Sequence, residues 1–438
     1  MKGDWGEQAA CAYLERKGYR MLGKNFRTRF GEIDIIMTHG KYIVFVEVKT
    51  RKNDRFAAAR EFVTPRKQQR ITATASLWLQ QHPTDRQPRF DVVEVYGTEG
   101  TLEPHRPFGK CFWRVSMKLF DLHCDTLYEC CEAGKHLREN DLHVNFAAAQ
   151  RYDHYAQFFA LFCGARAPSE AQAHGRDCLL DTPADARFDR MLQTAMREFA
   201  DNADWLMFCR SADDLQAAVA AGKAAAFLSI EGAELLPDRP DALDIAYDAG
   251  VRLITLTWNY RSRFGCSAAV NQDEGLTEVG KQLVYDCAEK GMIVDVSHLS
   301  ERGFWDLCET INGPFVASHS DSRALCYHPR NLTDRQFAEI ARRGGLVGVN
   351  LYTPFLVRRS DSVLDDAIAH IERFIGMCGE KTVALGCDFD GCDQLPAGIN
   401  GVGDVYRLAD RMLQLGYRQD VVDGLFYDNA YAFVQKML

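Results

Sequence analysis

Over residues 119–438, apolar runs of strand length recur with helical segments between them, and most of the runs end on polar side chains. Leu119–Leu122 ends in His123-Cys124-Asp125, and His154–Cys163 follows. Ala224–Ile230 ends in Glu231-Gly232, Val251–Thr257 in Trp258-Asn259, Met292–Val296 in Ser297-His298, and Pro314–Ala317 in Ser318-His319. Leu346–Leu351 is the seventh run, and Thr382–Gly386 ends in Cys387-Asp388-Phe389-Asp390-Gly391. Eight strands alternating with helices predict an α/β fold, a (β/α)8 TIM-like barrel. An open doubly wound sheet is the alternative, but it does not account for polar residues closing so many strands.

Before residue 97 the pattern is different. Gly6 to Lys17 has helical periodicity, apolar at Ala9, Ala10, Ala12 and Leu14, and Gly18 stops it. Gly31–Thr38 and Tyr42–Thr50 read as strands about a tight His39-Gly40 turn, a hairpin signal. A polar loop leads to a helix, Pro65–Gln81, and a strand, Arg89–Tyr96. The predicted order of this small domain is α-β-β-α-β. Residues 98–118 have Pro and Gly punctuation without a sustained period and read as a linker. The expected division is therefore 1–97, a linker at 98–118, and 119–438, with Met117 placed where a second protein would begin.

Charge sharpens this division. Residues 1–112 hold 20 Lys and Arg against 13 Asp and Glu, a balance of +7; the remainder holds 32 against 48, a balance of −16. The basic half is a candidate for nucleic-acid contact. No apolar run is long enough to cross a bilayer, and MKGDWGEQAA has no signal-peptide core. The fifteen cysteines are scattered without a C-x-x-C pair, which favours a reduced, cytoplasmic protein and gives a thiolate zinc site little support.

In a parallel barrel the carboxyl ends of the strands are where active sites are built. Gly291 to Ser320 contains two consecutive β-units that each deliver a histidine there, His298 and His319. His123 and Asp125 are two residues apart and share a face. Asp125 and Glu231 add anionic oxygen. Two histidines with two or three carboxylates are more than one zinc needs, and suit two metals bridged by a carboxylate. Singly, Asp125 also reads as a helix N-cap and Glu231 as a loop carboxylate. In the small domain Glu47 and Lys49 share one face of an otherwise apolar strand. A magnesium ion held by Glu47 and Asp34 would offset their burial, with Lys49 steadying a water or phosphate. A solvent-facing Glu/Lys pair is the alternative.

FDLHCDT, SIEGAE, LITLTWN, MIVDVSHLS, ASHSDSRALCYHPRN and LGCDFDG make the second body resemble, nearly end to end, the membrane (renal-type) dipeptidase family of zinc metallopeptidases. The resemblance implies two Zn²⁺: His123, Asp125 and Glu231 on one, Glu231, His298 and His319 on the other, with Glu231 bridging. It further implies dipeptide hydrolysis by a metal-bridging hydroxide, with Asp388 as acid/base and Arg330 on the substrate's carboxylate. Trp258 stands where some members have a substrate-contacting histidine. GEIDII, VFVEVKTR and RFDVVEV make residues 1–97 resemble the YraN-like family of the PD-(D/E)XK nuclease superfamily, a restriction-endonuclease-like fold. That likeness implies a nuclease site of Asp34, Glu47 and Lys49 with Glu7 as a further acidic position, Mg²⁺, and phosphate contacts from Arg27, Arg29, Lys67 and Arg70.

The combined expectation is a cytoplasmic zinc dipeptidase fused to a nuclease-like, DNA-contacting domain, with dipeptides as substrates, no membrane contact, and a homodimer as the assembly considered. The alternatives are another binuclear amidohydrolase acting on cyclic or acyl amides, and a DNA-processing nuclease with an accessory barrel. Cyclic amidases usually bridge their metals with a carbamylated lysine, whereas the matching strand here offers Glu231. The barrel's −16 balance speaks against a mere scaffold for DNA.

Overall fold

The computed structural model describes residues 4–51, 65–84, 86–98, 101–102, 110–113, 117–162, 164 and 182–438. The chain divides into two compact units, Met1–Ser116 and Met117–Leu438. Among the described residues, no helix is long and apolar enough to cross a membrane.

In the first unit the helix Asp4–Arg16 precedes β1 (Arg20–Arg27), β2 (Glu32–His39) and β3 (Tyr42–Arg51). The helix Pro65–Gln81 then leads to β4 (Gln87–Thr98). β1, β2 and β3 are antiparallel neighbours, and β4 runs parallel to β3. Alternation along the strands gives the sheet two apolar faces. Ile33, Phe45, Phe90 and Val92 pack with Ile71 and Trp78 of the second helix. Ile35, Val44, Val46 and Val93 pack with Ala10 and Leu14 of the first. Over residues 1–97 the α-β-β-α-β expectation holds with one addition. β1 escapes sequence reading because RMLGKNFR is an edge strand with little buried surface, so it has no apolar face to announce it. Two short strands, β5 (Thr101–Leu102) and β6 (Lys110–Trp113), lie within the stretch expected as a linker and pair antiparallel with β4. Strands of two and four residues are too short to show a period. The other residues of 98–118, apart from Thr98, Met117 and Lys118, lie outside the described residues.

The second unit contains β7 (Lys118–Cys124), β8 (His154–Phe162), β9 (Leu206–Phe208), β10 (Ala224–Glu231) and β11 (Val251–Thr255). β12 (Ile293–Asp295), β13 (Val316–Ala317), β14 (Leu346–Val349) and β15 (Val383–Leu385) follow. All pairings are parallel, and β15 returns to β7 through Leu385 and Asp121. That closes eight strands into a barrel, with β9 attached outside it on β10. Each of the eight expected runs is a barrel strand; Cys163, the expected end of the second, lies outside the described residues. β9 was not expected, since three residues give no pattern.

The barrel is closed at its amino end. Phe120, Phe158 and Phe227 stack inside it, Phe158 and Phe227 with ring centroids 4.9 Å apart. Tyr427 and Phe433 near the C-terminus seal this layer from below. Between barrel and helices lies the larger core, from Leu119 and Leu228 to Phe304, Phe337 and Phe374.

Candidate active site

Six side chains from five strand ends converge at the carboxyl end of the barrel. His123 lies in β7 and Asp125 one residue past its end; Glu231 is the last residue of β10. His298, His319 and Asp388 follow β12, β13 and β15. All six are buried. A bulge between Asp121 and Cys124 breaks the β7–β8 register next to His123, and Cys124 turns away into the outer core. Three sets have ligand atoms all within 4.8 Å of one another: His123/Asp125/Glu231, Glu231/His298/His319 and His123/His319/Asp388. Glu231 belongs to two of them. Its Oε2 is 3.6 Å from His123 Nε2, and its Oε1 is 2.9 Å from His298 Nε2.

Hydrogen bonds behind the rings fix their tautomers. His298 Nδ1 donates to Asn259 Oδ1 at 2.9 Å. Ser318 donates its hydroxyl proton to Asp295 Oδ2 at 2.6 Å, so its Oγ accepts from His319 Nδ1 at 2.7 Å. Both Nε2 atoms therefore turn lone pairs toward the centre. Burial, and the nearby charges of Arg330 and His123, hold both imidazoles well below the usual histidine range, so neither carries a second proton. Among the described residues, His123 Nδ1 and Nε2, Asp125 Oδ1 and Glu231 Oε2 are buried without hydrogen-bond partners. Burial and the neighbouring Asp125 push the Glu231 carboxyl up to about 8. The cluster sets three imidazoles among three carboxylates, and against burial the charges of Glu231 and Asp125 hold His123 well above the usual histidine range. Imidazole nitrogen with carboxylate oxygen is a donor set that suits zinc, so the residues present fit the metal that the strand-end pattern implies.

The backbone here is held in unusual conformations. His298 and Asp388 have φ of 68° and 61°, and Asp390 has 65°. Left-handed backbone costs about 1–2 kcal/mol for a residue with a Cβ. The surrounding bonds supply that cost. Asp388 Oδ2 accepts from Asn350 Nδ2 at 2.8 Å, while its Oδ1 lies 3.8 Å from His123 Nε2. Burial raises the Asp388 carboxyl above the usual carboxylate range. Asp390 accepts from the Thr126 hydroxyl at 2.5 Å and from the His143 backbone N–H at 2.7 Å, binding the loop before Asn145 to the mouth. At Gly391 a Cβ would collide with Asp125 Oδ2 and Asp388 Oδ1.

Arg330 follows β13 and is buried; burial draws its guanidinium down to about 10. Among the described residues its Nε has no hydrogen-bond partner, and its Nη2 reaches the His319 carbonyl at 3.5 Å. Trp258 is partly exposed, with its ring 6.4 Å from that of His298.

Sequence reasoning missed the supporting residues Asp121, Asp295 and Asn350. Asp121 Oδ1 accepts from Cys387 N–H at 2.8 Å, tying the last barrel strand to the first. Asp295 Oδ1 accepts from the backbone N–H groups of Ser297 and Ser318. The available signal was a polar residue inside each otherwise apolar run: LFDL, MIVDV and LVGVNL.

In the small unit Glu47 is buried and receives Lys49 Nζ at 2.6 Å, and also Lys67. The buried charge assigned to a cation from sequence is thus met by two ammonium groups. Asp34 accepts from Val48 N–H at 2.6 Å, and burial together with Glu47 pushes its carboxyl up to about 6. Glu7 adds to that effect from the first helix. Among the described residues, however, the three-residue sets with converging ligand atoms all lie in the barrel. Arg27 pairs with Glu32, Arg29 lies over Phe30, and Arg70 is exposed.

Comparison with known proteins agrees with both halves. The profile of the uncharacterised protein family UPF0102, the YraN-like family, matches residues 6–95. The profile described as membrane dipeptidase (peptidase family M19) matches residues 113–436. An uncharacterized protein encoded in the pqqA 5′ region of Klebsiella pneumoniae is 38% identical over 52% of this chain and 88% of its own length. An uncharacterized dipeptidase of Schizosaccharomyces pombe is 32% identical over 59% of this chain and 62% of its own. A crystal structure of a metallo peptidase from Rhodobacter sphaeroides, liganded with a phosphinate mimic of the dipeptide L-Ala-D-Ala, superposes with a TM-score of 0.66 and 27% identity. It covers 74% of this chain and all of that one. The barrel unit is a peptide-bond hydrolase, and the chain belongs to the membrane dipeptidase family, peptidase family M19.

Proposed function

We propose that the barrel hydrolyses the peptide bond of dipeptides with two zinc ions bound at the strand-end cluster. The observation that carries this reading is the convergence of buried histidine nitrogens and carboxylate oxygens around Glu231. His123, Asp125 and Glu231 would hold one ion, and Glu231, His298 and His319 the other. Zinc bound there supplies Lewis acidity toward water and the peptide carbonyl. Asp388, held by Asn350, takes the proton of the attacking water and returns it to the leaving amine. Arg330 offers its unpartnered N–H edge to the C-terminal carboxylate, a geometry suited to a planar guanidinium. Metal analysis of the purified chain, together with hydrolysis of a dipeptide panel before and after chelation, tests the reading. Full activity without metal would overturn it.

For the small unit we propose nucleic-acid contact and magnesium-dependent cutting at Asp34, Glu47 and Lys49, with Glu7 in support. The +7 balance of residues 1–112 favours the nucleic-acid contact, and the raised Asp34 carboxyl beside Glu47 favours the cutting site. DNA affinity that falls with salt, and cutting lost in Glu47→Ala, are the expected results.

A further inference from the structure

The barrel mouth has two unlike arcs. One follows β13 and β14, where buried Arg330 lies 5.4 Å over the ring of Phe355. The other follows β7, β8 and β11 and is a row of aromatic rings. Trp258 meets Phe162 edge to face at 4.9 Å and Tyr260 at 5.4 Å, and Phe162 meets Tyr128 at 5.4 Å. All four rings are partly exposed. Large apolar rings left partly open beside a buried polar cluster are a surface that gains by covering.

We infer that this row is the subsite for the substrate's N-terminal side chain, and that the enzyme selects dipeptides whose first residue is apolar, aromatic ones foremost. The inference rests on the dipeptidase reading above. A dipeptide is short, its two Cα atoms about 3.8 Å apart. With its carboxylate on Arg330 and its carbonyl over the Glu231 cluster, the first residue falls on the far side of that cluster from β13. The strand order β7-β8-β10-β11-β12-β13-β14-β15 puts Phe162, at the end of β8, across the barrel from β13, and Trp258, after β11, leans its ring against Phe162 at 4.9 Å. Trp258 is joined to the cluster from behind as well, because the next residue, Asn259, holds His298. An imidazole in place of this indole would offer a polar contact; the indole offers area, and edge-to-face neighbours that fix its plane.

The test compares kcat/KM for Phe-Ala, Gly-Ala and Asp-Ala, using the zinc-loaded full chain and its Trp258→Ala and Trp258→Phe variants. In the parent the expected order is Phe-Ala, Gly-Ala, Asp-Ala, the first preferred over the second by about tenfold or more. Trp258→Ala brings that ratio close to one, and Trp258→Phe keeps most of it. A parent that prefers Asp-Ala, or cleaves all three alike, overturns the inference and leaves the dipeptidase reading standing. A ratio unchanged in Trp258→Ala does the same. A parent that cleaves none of the three overturns both.

Discussion

The Nε2 atoms of His298 and His319 stand 2.9 Å apart, and each ring keeps its proton on the far nitrogen. Two lone pairs so placed repel each other, and a cation between them turns that repulsion into attraction. Chelation is therefore expected to lower the melting temperature, with zinc restoring it. Zinc at one hundred times its dissociation constant contributes about 2.7 kcal/mol. Thermal melts with and without chelator check this. Glu231→Gln should bind fewer than two zinc ions per chain and lose turnover with them. Full metal content in that variant would remove Glu231 as the bridge.

Asp388→Asn keeps the shape of the side chain and removes its basicity. Metal content should hold, while kcat falls by about 10²–10⁴-fold, the usual contribution of a general acid/base. Steady-state kinetics at full zinc loading separate the two quantities. A rise in KM alone would make Asp388 a binding residue.

Arg330→Lys replaces a fork with a point charge. KM for dipeptides with a free carboxylate should rise, and C-terminally amidated dipeptides, poor substrates of the parent, should respond little. Equal cleavage of free and amidated dipeptides by the parent would take Arg330 out of that role.

Gly391 is defined by what lies in front of it. Gly391→Ala puts a methyl group against Asp125 and Asp388 together, so both zinc content and turnover should drop. Overpacking of this kind costs about 1–3 kcal/mol in stability. Calorimetry with metal analysis tests it; a variant with parental zinc and kcat would show that the loop after β15 gives way.

The barrel was legible because its strands are buried on both faces and so read as mostly apolar runs, and the cluster because polar residues close them. β1 and β9 were not legible: one is an exposed edge, the other three residues long. The roles of Asp121, Asp295 and Asn350 were hidden for a different reason. Asn350 meets Asp388 across 38 positions, and Asp121 meets Cys387 across 266. Such partnerships follow from which strands become neighbours, and spacing along the chain does not carry that. Glu47 shows the reverse: the sequence exposed the problem of a buried charge, but the answer came from Lys67, twenty positions away.

Barrel closure through Leu385 and Asp121 also sets a timetable. During synthesis the ribosome delivers His123 well before Asp388, and the two can meet only after the eighth strand has docked on the first. A nascent chain therefore holds no working peptidase, whatever its histidines have already gathered. Regain of turnover after denaturation should keep pace with the docking of that final strand.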